Sequence, residues 1–409
     1  MRLKCVVVGM VLVGLGISTA QAKWTLLGLD ADNGVTLQVT EVKVSPTNSN
    51  VIYAYTRPNG LYRSSNNGGS WELIYAVNDL NLGLQVISDN VAFINANGFQ
   101  YTIDAGQTWN DVPVNIPDYV SVGDFYVDPG NVDDITIRVY TKPFIFNTKD
   151  GGTTWNPAIA TVVDAIDAKK AWISMFQFTN SSYYLGVSTS TTNGAMTDSG
   201  LYYSTDKGQN WVKSIDSIGT VYALATAENN PDIAVAAGYG GTTEGTFITV
   251  DGGSHWTNLA AKLRYGPLVV RDNPTSSVPL IYSGAGLGNI VLRKAIGNCW
   301  RSMQDGLPTT VGFQEVSDIE IDPNDSSRLL LATMHGVFSQ RDTGQFDATD
   351  CVTQFENEIP SASNSTTDTQ DNTPTTPDSG GGGGGSLDMA GLLMLFGFWL
   401  SIRFRRLRS

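Results

Sequence analysis

Short apolar runs of strand length, separated by polar turns, recur along most of this chain. Val51-Ile-Tyr-Ala-Tyr55 and Leu329-Leu-Leu-Ala-Thr333 are examples. Each is followed by a second run that opens on glycine and an aromatic residue or its neighbour, as in Gly60-Leu-Tyr62, Gly200-Leu-Tyr202 and Gly336-Val-Phe338. A third run starts at a tryptophan (Trp71-Glu-Leu-Ile74, Trp256-Thr-Asn-Leu259), and a fourth ends at a proline turn (Val44-Ser-Pro46, Val127-Asp-Pro129, Ile321-Asp-Pro323). β-branched and aromatic residues bounded by Gly, Pro, Asn and Asp read as strands. Four strands in every 40–50 residues or so make the blade of a β-propeller.

The turn before each tryptophan is itself repeated. Thr148-Lys-Asp150-Gly-Gly152-Thr-Thr154-Trp155 recurs as Ser64-x-Asn66-x-Gly68-x-Ser70-Trp71 and Thr102-x-Asp104-x-Gly106-x-Thr108-Trp109. It recurs again as Ser204-x-Asp206-x-Gly208-x-Asn210-Trp211 and Thr249-x-Asp251-x-Gly253-x-His255-Trp256. The short polar side chains can bond nearby amides, glycine can take a positive φ, and tryptophan returns the chain to a core. Trp300 fits the same frame with a degraded turn, and a seventh frame begins at Gln340-x-Asp342-x-Gly344 but has Asp347 where tryptophan should stand. Lys23-Trp24-Thr-Leu-Leu27 reads as the missing piece. The expectation is an all-β fold: a single seven-bladed β-propeller of four-stranded blades over residues 23–351, about 47 residues per blade, its ring closed by the N-terminal strand. The turn tryptophans 71, 109, 155, 211 and 256 are expected to be core residues.

Composition changes this picture little: charged residues are 16% and there are 43 glycines, which suits many-turned β structure. The ends change it more. Residues 1–22 read as a signal peptide, with basic Arg2 and Lys4, an apolar run from Cys5 to Ile17 and Ala20-Gln21-Ala22 as the cleavage site. Residues 352–386 are a Ser/Thr/Asp/Pro stalk ending in glycines, with few apolar residues to bury, and are expected to be disordered. Residues 387–409 combine an apolar run, Leu387–Ile402, with the cluster Arg403-Phe-Arg-Arg-Leu-Arg408. That run is short for a bilayer span of about 20 residues, so the expectation is transient membrane insertion through 387–402, with the arginines on the cytoplasmic side. The whole chain carries −14; without the terminal cations Arg2, Lys4, Arg403, Arg405, Arg406, Arg408 and the acid Asp388, 19 cations face 38 acids. Such a surface repels nucleic acid and anionic lipid. Export would leave Cys299 and Cys351 in an oxidising setting, an even pair without CxxC spacing, which favours a disulfide over a metal site; two buried free thiols are the alternative.

The five turns resemble the Asp-box, or BNR repeat, with Asn66, Asp104, Asp150, Asp206 and Asp251 at the acidic position and Trp71, Trp109, Trp155, Trp211 and Trp256 closing each copy. Families that carry it include sialidases, xyloglucan-cleaving glycoside hydrolases, sortilin-type receptors and a photosystem II assembly propeller. In these the box is a structural turn at the blade periphery, so the resemblance implies fold and not activity. The C-terminus separately resembles the GlyGly-CTERM sorting signal. That implies export by a Gram-negative bacterium, a transient anchor in the inner membrane, cleavage by a rhomboid-type protease near Gly385–Ser386, and a mature protein at the cell surface or outside it.

For chemistry, glycoside hydrolysis needs two carboxyl groups flanking a cleft. Glu41, Asp124 and Asp318 each stand five residues before a blade proline, which places them at one end of their innermost strands, around the channel mouth. They are binding candidates, for a cation or a sugar, or else acids that cap loop amides at a strand start. The resemblance to sialidases implies an arginine triad, which nine arginines between residues 23 and 351 would allow, but the usual Arg-Ile-Pro tripeptide is absent. His255 and His335 have no partner spacing for zinc or a triad. No cofactor, metal or catalytic residue is assigned. Loops 111–122, 157–171 and 302–316 lack aromatic clusters suited to a long glycan. The reading is therefore a non-catalytic binding or assembly propeller for a glycan or protein partner, the alternative being an extracellular glycoside hydrolase, sialidase-like or polysaccharide-cleaving.

Overall fold

The computed structural model describes residues 23–30, 37–77, 83–117, 121–139, 145–158, 171–178, 182–189, 199–215, 218–227, 230–239, 245–259, 266–271, 279–285, 290–295, 300–303, 305–308 and 316–342. The chain divides into two compact units, Met1–Ile359 and Pro360–Ser409, and every described residue belongs to the first. The expected signal peptide (1–22), Cys299 and Cys351, the expected stalk (352–386) and the apolar run 387–402 lie outside the described residues. Among the described residues no helix is long and apolar enough to cross a membrane.

The N-terminal strand β1 is Thr25–Leu26. The first blade is β2 (Gln38–Ser45), β3 (Asn48–Arg57), β4 (Gly60–Ser64) and β5 (Glu72–Ala76); the second is β6 (Leu84–Val86), β7 (Ala92–Asn95), β8 (Phe99–Thr102) and β9 (Asn110–Asp111). The third is β10 (Val122–Asp128), β11 (Asn131–Val139), β12 (Ile145–Thr148) and β13 (Asn156–Pro157). The fourth is β14 (Ala171–Phe178), β15 (Tyr183–Thr189), β16 (Gly200–Ser204) and β17 (Val212–Ile215). The fifth is β18 (Thr220–Ala227), β19 (Asn230–Tyr239), β20 (Gly245–Thr249) and β21 (Thr257–Asn258); the sixth is β22 (Leu268–Arg271), β23 (Leu280–Ala285), β24 (Ile290–Ala295) and β25 (Arg301–Ser302). A further sheet joins β26 (Val316–Ile321), β27 (Arg328–Thr333) and β28 (Gly336–Arg341) to β1, in the order β1-β28-β27-β26.

Each sheet is antiparallel and four-stranded, but the expectation of a seven-bladed propeller needs correction to six blades and one composite sheet. Six blades are contiguous in sequence; the remaining sheet is composite, drawn from both ends of the body. Its register is Thr25↔Ser339 and Leu26↔Phe338. In sequence, Asp347 stands where the repeat has tryptophan, while Trp24 immediately precedes β1, the strand that pairs with β28. The outermost strands are also slighter than expected, only two residues long in β1, β9, β13, β21 and β25.

Second strands are buried on both faces, because each sheet is packed between two others. Val51 to Thr56 of β3 and all of β27 are buried, which is why these runs are continuously apolar and do not alternate. Tyr53, Tyr55 and Leu61 pack on Leu84 and Ile94 of the second blade. Val235 and Ile248 meet Val270, Ile281 and Trp300 between the fifth and sixth. Leu280 and Tyr282 of the sixth meet Trp24, Ile319, Leu329, Leu331 and Phe338 of the composite sheet, and Leu330, Ala332 and Val337 meet Val39, Val42 and Ile52 of the first blade. The third and fourth blades are joined by Thr136 and Tyr183, 3.2 Å between hydroxyls, and by Lys207, which reaches Asp128 and Asp134.

The repeated turn has one geometry in five places. In the third blade, Thr148 Oγ1 donates to Asp150 Oδ1 (2.6 Å) and accepts the Gly152 amide (3.0 Å). Asp150 then accepts the amide (2.8 Å) and the hydroxyl (2.7 Å) of Thr154. Gly152 has φ 92°, and a Cβ there would stand 2.5 Å from the Pro113 carbonyl oxygen, so glycine is required twice over. The same amide-to-hydroxyl bond recurs at Gly68, Gly106, Gly208 and Gly253.

The tryptophans that follow these turns are not core residues as expected. Trp71, Trp109, Trp155, Trp211 and Trp256 are half-buried, whereas Trp24 and Trp300 are 3% and 0% exposed. Most of the half-buried rings reach the preceding sheet. Trp71 Nε1 donates to Leu27 O (2.9 Å), Trp109 to Ile74 O (3.2 Å), Trp155 to Pro113 O (2.9 Å) and Trp256 to Ser214 Oγ (2.7 Å). Trp211 instead bonds Gly208 O in its own turn (2.9 Å).

Candidate functional site

Innermost strands are sheet edges, and their unpaired backbone groups face the axis. Several of them carry a bulge at the same height: Val39/Glu41 in β2, Val122/Phe125 in β10 and Val316/Asp318 in β26. A bulge re-aims the side chain beside it. Glu41 and Asp318 stand directly after theirs, and Asp124 stands within its own. All three lie inside the innermost strands of their sheets, β2, β10 and β26.

In space the three separate into two groups. Asp318 reaches from the composite sheet to the first blade, where its Oδ2 accepts the Val42 amide (3.2 Å) and pairs with Lys43 Nζ (3.0 Å). Glu320 pairs with the same ammonium at 3.1 Å and accepts the Val44 amide at 3.5 Å. Glu41 in turn reaches the second blade and accepts the Leu84 amide at 3.3 Å. Asp124 is not brought to them; it pairs with Arg138 Nε of the neighbouring strand at 2.7 Å. Lys43 and Glu320 were not among the sequence candidates, although each lies two residues beyond one, on the same strand face.

Gln85 continues the pattern from the second blade to the third, its amide bonding both N and O of Val127 at 2.7 Å. A side chain of each innermost strand therefore caps the edge of the next, in one direction from the composite sheet to the third blade. Capping matters because an unpaired edge costs desolvation and offers a template to other chains.

The electrostatics of the cluster follow from its charge. Burial opposes the charge on Lys43, but Asp318, Glu320 and Glu41 outweigh it and hold the ammonium well above its ordinary pKa. Burial is also the largest influence on Glu41, whose carboxyl is pushed up to about 8; Lys43 opposes the rise, and Asp318 and Glu320 add to it.

Cations elsewhere at the seams are also committed. Arg328 binds Asp322 (3.0 Å) and the Ser49 carbonyl (2.8 Å), and Arg271, Tyr282 and Asp342 form a buried triad, with Tyr282 OH donating to Asp342 Oδ2 at 2.8 Å. Arg63 holds the Asp89 carbonyl at 3.1 Å. Arg57 differs. It ends β3, opposite Gln38 at the start of β2, is half-buried, and its Nε is enclosed without an acceptor.

Between the fourth and fifth blades a recess of about 250 Å³ is lined by Tyr203, Asp206, Asp232, Asp251 and Ser254 among others. Asp206 and Asp251 are already occupied by the amides of Asn210 and His255 in their own turns. Among the described residues no group of three or more His, Cys, Asp or Glu is arranged to hold a metal ion.

No protein-family model and no curated protein matches this chain. Solved structures do. A GH74 xyloglucanase from Xanthomonas campestris aligns with TM-score 0.55 at 17% identity, over 80% of this chain and 54% of that one. YCF48 from Cyanidioschyzon merolae aligns with TM-score 0.54 at 13% identity, over 80% of this chain and 100% of that one. A YCF48 chain solved bound to D1 peptide aligns with TM-score 0.51 at 15% identity, over 78% of this chain and 96% of that one. The chain thus spans about half the length of the xyloglucanase and nearly all of the YCF48 chains. At such identities the likeness shows the fold, an all-β propeller.

Proposed function

We propose that this chain is a non-catalytic binding or assembly propeller, exported and surface-associated, that recognises a protein or glycan partner. One observation carries the reading: the acids best placed for chemistry are occupied by the scaffold. Asp318 caps a backbone amide and holds Lys43, Glu41 caps the Leu84 amide, and Asp124 is tied to Arg138. Glycosidases need two carboxyl groups facing one sugar, roughly 5–10 Å apart, and free to exchange protons with it. The likeness to a YCF48 chain bound to a peptide, nearly end to end, supports a module of this size that works without a second propeller. Arg57, half-buried at the end of β3, offers a cation for an acidic group on the partner. The repeated turns fit the Asp-box, and the tail 387–409 fits a GlyGly-CTERM signal cut by a rhomboid-type protease.

The test uses the full-length exported chain. It is titrated against xyloglucan and other soluble polysaccharides by affinity electrophoresis, and against immobilised acidic peptides, while release of reducing ends is followed. Binding without hydrolysis, weakened by Arg57→Ala for the acidic probes, supports the reading. Hydrolysis that disappears in Glu41→Gln or Asp318→Asn overturns it.

A further inference from the structure

Four ionisable side chains meet where the composite sheet, the first blade and the second blade face the axis. β2 supplies Glu41 and Lys43, and β26 supplies Asp318 and Glu320. The described part of β6, Leu84-Gln85-Val86, supplies only the Leu84 amide and no titratable side chain. Tyr55 stands opposite Glu41 on β3. Among the described residues one ammonium therefore pairs with two carboxyl groups, with a third two residues away on its own strand, in a space where Lys43, Asp318 and Glu320 are only 25%, 20% and 19% exposed.

The bonds are unevenly shared. Lys43 is taken by Asp318 and Glu320, at 3.0 and 3.1 Å, and each of those acids also accepts an amide of β2. Glu41 has a single amide at 3.3 Å. Ionising it would place a third negative charge beside one cation already engaged twice, with little water to screen it. The two acids that bind Lys43 are the ones that fasten the composite sheet to the first blade, and Glu41 stands two residues from Lys43 on the same strand, where its charge acts on the fastening.

We infer that this cluster is a proton-dependent clasp on the ring, tight while Glu41 carries a proton and loosened when that proton leaves. The elevated carboxyl of Glu41, pushed up by burial to about 8 from an ordinary 4.5, fits the same picture. The sign is fixed by linkage: a carboxyl raised on folding contributes stability that is full below 4.5, declines as pH rises, and is gone once pH has passed 8. Alkaline surroundings therefore weaken the seam, and mildly acidic ones strengthen it.

The experiment compares the full chain with Glu41→Gln between pH 5 and pH 9, following thermal midpoint and hydrogen exchange at the Val42 and Val44 amides. In the wild type the opening constant of those amides, corrected for intrinsic exchange, should rise by up to about tenfold per pH unit until near pH 8 and then level off. In Glu41→Gln it should stay flat across that range, and its midpoint should exceed that of the wild type at pH 9. A wild-type seam whose opening does not change with pH, or a Glu41→Gln profile parallel to the wild type, overturns the inference. Should Glu41→Gln fail to fold, the wild-type amide profile alone decides.

Discussion

Trp24→Ala tests whether the composite sheet closes the domain as a structural unit. Trp24 is 3% exposed and lies among Leu280, Tyr282, Ile319, Leu329, Leu331 and Phe338. Its indole donates to Met303 O at 2.8 Å, and its own amide bonds Asp305 O at 2.8 Å. Gly306 faces its backbone so closely that a Cβ there would stand 2.3 Å from Trp24 O. Truncating a buried tryptophan costs about 3–5 kcal/mol, including the cavity left behind. With an unfolding entropy of about 2.1 cal/mol/K per residue over the roughly 320 residues from β1 to β28, that converts to a fall of roughly 4–8 °C in Tm. Trp155→Ala removes a half-buried ring with the same kind of indole bond, and should lose roughly half as much by the area rule. Differential scanning calorimetry of both variants, checked by near-UV circular dichroism, reads the difference. A Trp24→Ala shift no larger than that of Trp155→Ala would refute closure through this residue.

Other consequences can be checked with the same material. Gly68→Ala should destabilise by more than the roughly 1–2 kcal/mol of a left-handed residue, because φ is 83° and the new methyl would lie 2.6 Å from Leu27 Cβ; a neutral result in chemical denaturation would contradict the geometry. Asp150 and Asp251 are both lowered to about 2, the first chiefly by its Thr148 hydrogen bond and the second chiefly by the His255 amide. Their contribution should be present above pH 3.8 and be lost as pH falls towards 2, so Asp150→Asn, which reproduces the Asn66 turn, should soften the acid limb of the stability curve without abolishing folding. Cys299 and Cys351 are expected to be disulfide-bonded, and non-reducing peptide mapping that finds two free thiols would end that expectation. Intact mass of exported protein checks the tail: a product ending near Gly385–Ser386 is expected, and one that retains Arg403–Ser409 rules out the sorting signal.

How much of this was legible in the sequence depended on whether the information was local. The turn around Asp150 is self-contained, since Thr148, Gly152 and Thr154 satisfy it within seven residues, and so spacing alone revealed it. The break at Asp347 and the complementary Lys23-Trp24 were also readable, because a repeat makes a missing member visible at the opposite end. The depth of the turn tryptophans is not legible locally, because the surface they pack on belongs to the preceding sheet, where Trp71, Trp109 and Trp155 find their acceptors. The acids show the same limit. Spacing before proline singles out Glu41, Asp124 and Asp318, but it does not say that Lys43 of the first blade stands between two acids of the composite sheet. Alternation in Ser317-Asp318-Ile319-Glu320-Ile321 would have paired Glu320 with Asp318 on one face; only the order of sheets in the ring supplies the cation.

That order also explains why carboxyl groups at a propeller axis are ambiguous evidence for catalysis. Every innermost strand leaves an edge of backbone amides facing its neighbour, and a short acidic or amide side chain is the simplest acceptor for them. Asp318 on Val42, Glu320 on Val44, Glu41 on Leu84 and Gln85 on Val127 are four solutions of one problem. Gln85 does the work without a charge, so the edge does not require acids. At the axis, charge serves where the ring is closed between sequence-distant strands, and there Lys43 joins Asp318 and Glu320 across 275 and 277 residues. Closure then rests on two layers of different chemistry, the apolar anchor of Trp24 near the rim and the ionic clasp at the axis. Screening separates them: high salt weakens a partly exposed ion pair and strengthens apolar burial. Sulfate should therefore protect a Lys43→Met variant about as well as the wild type but leave Trp24→Ala deficient, and equal rescue of both variants would show that the two layers are not distinct.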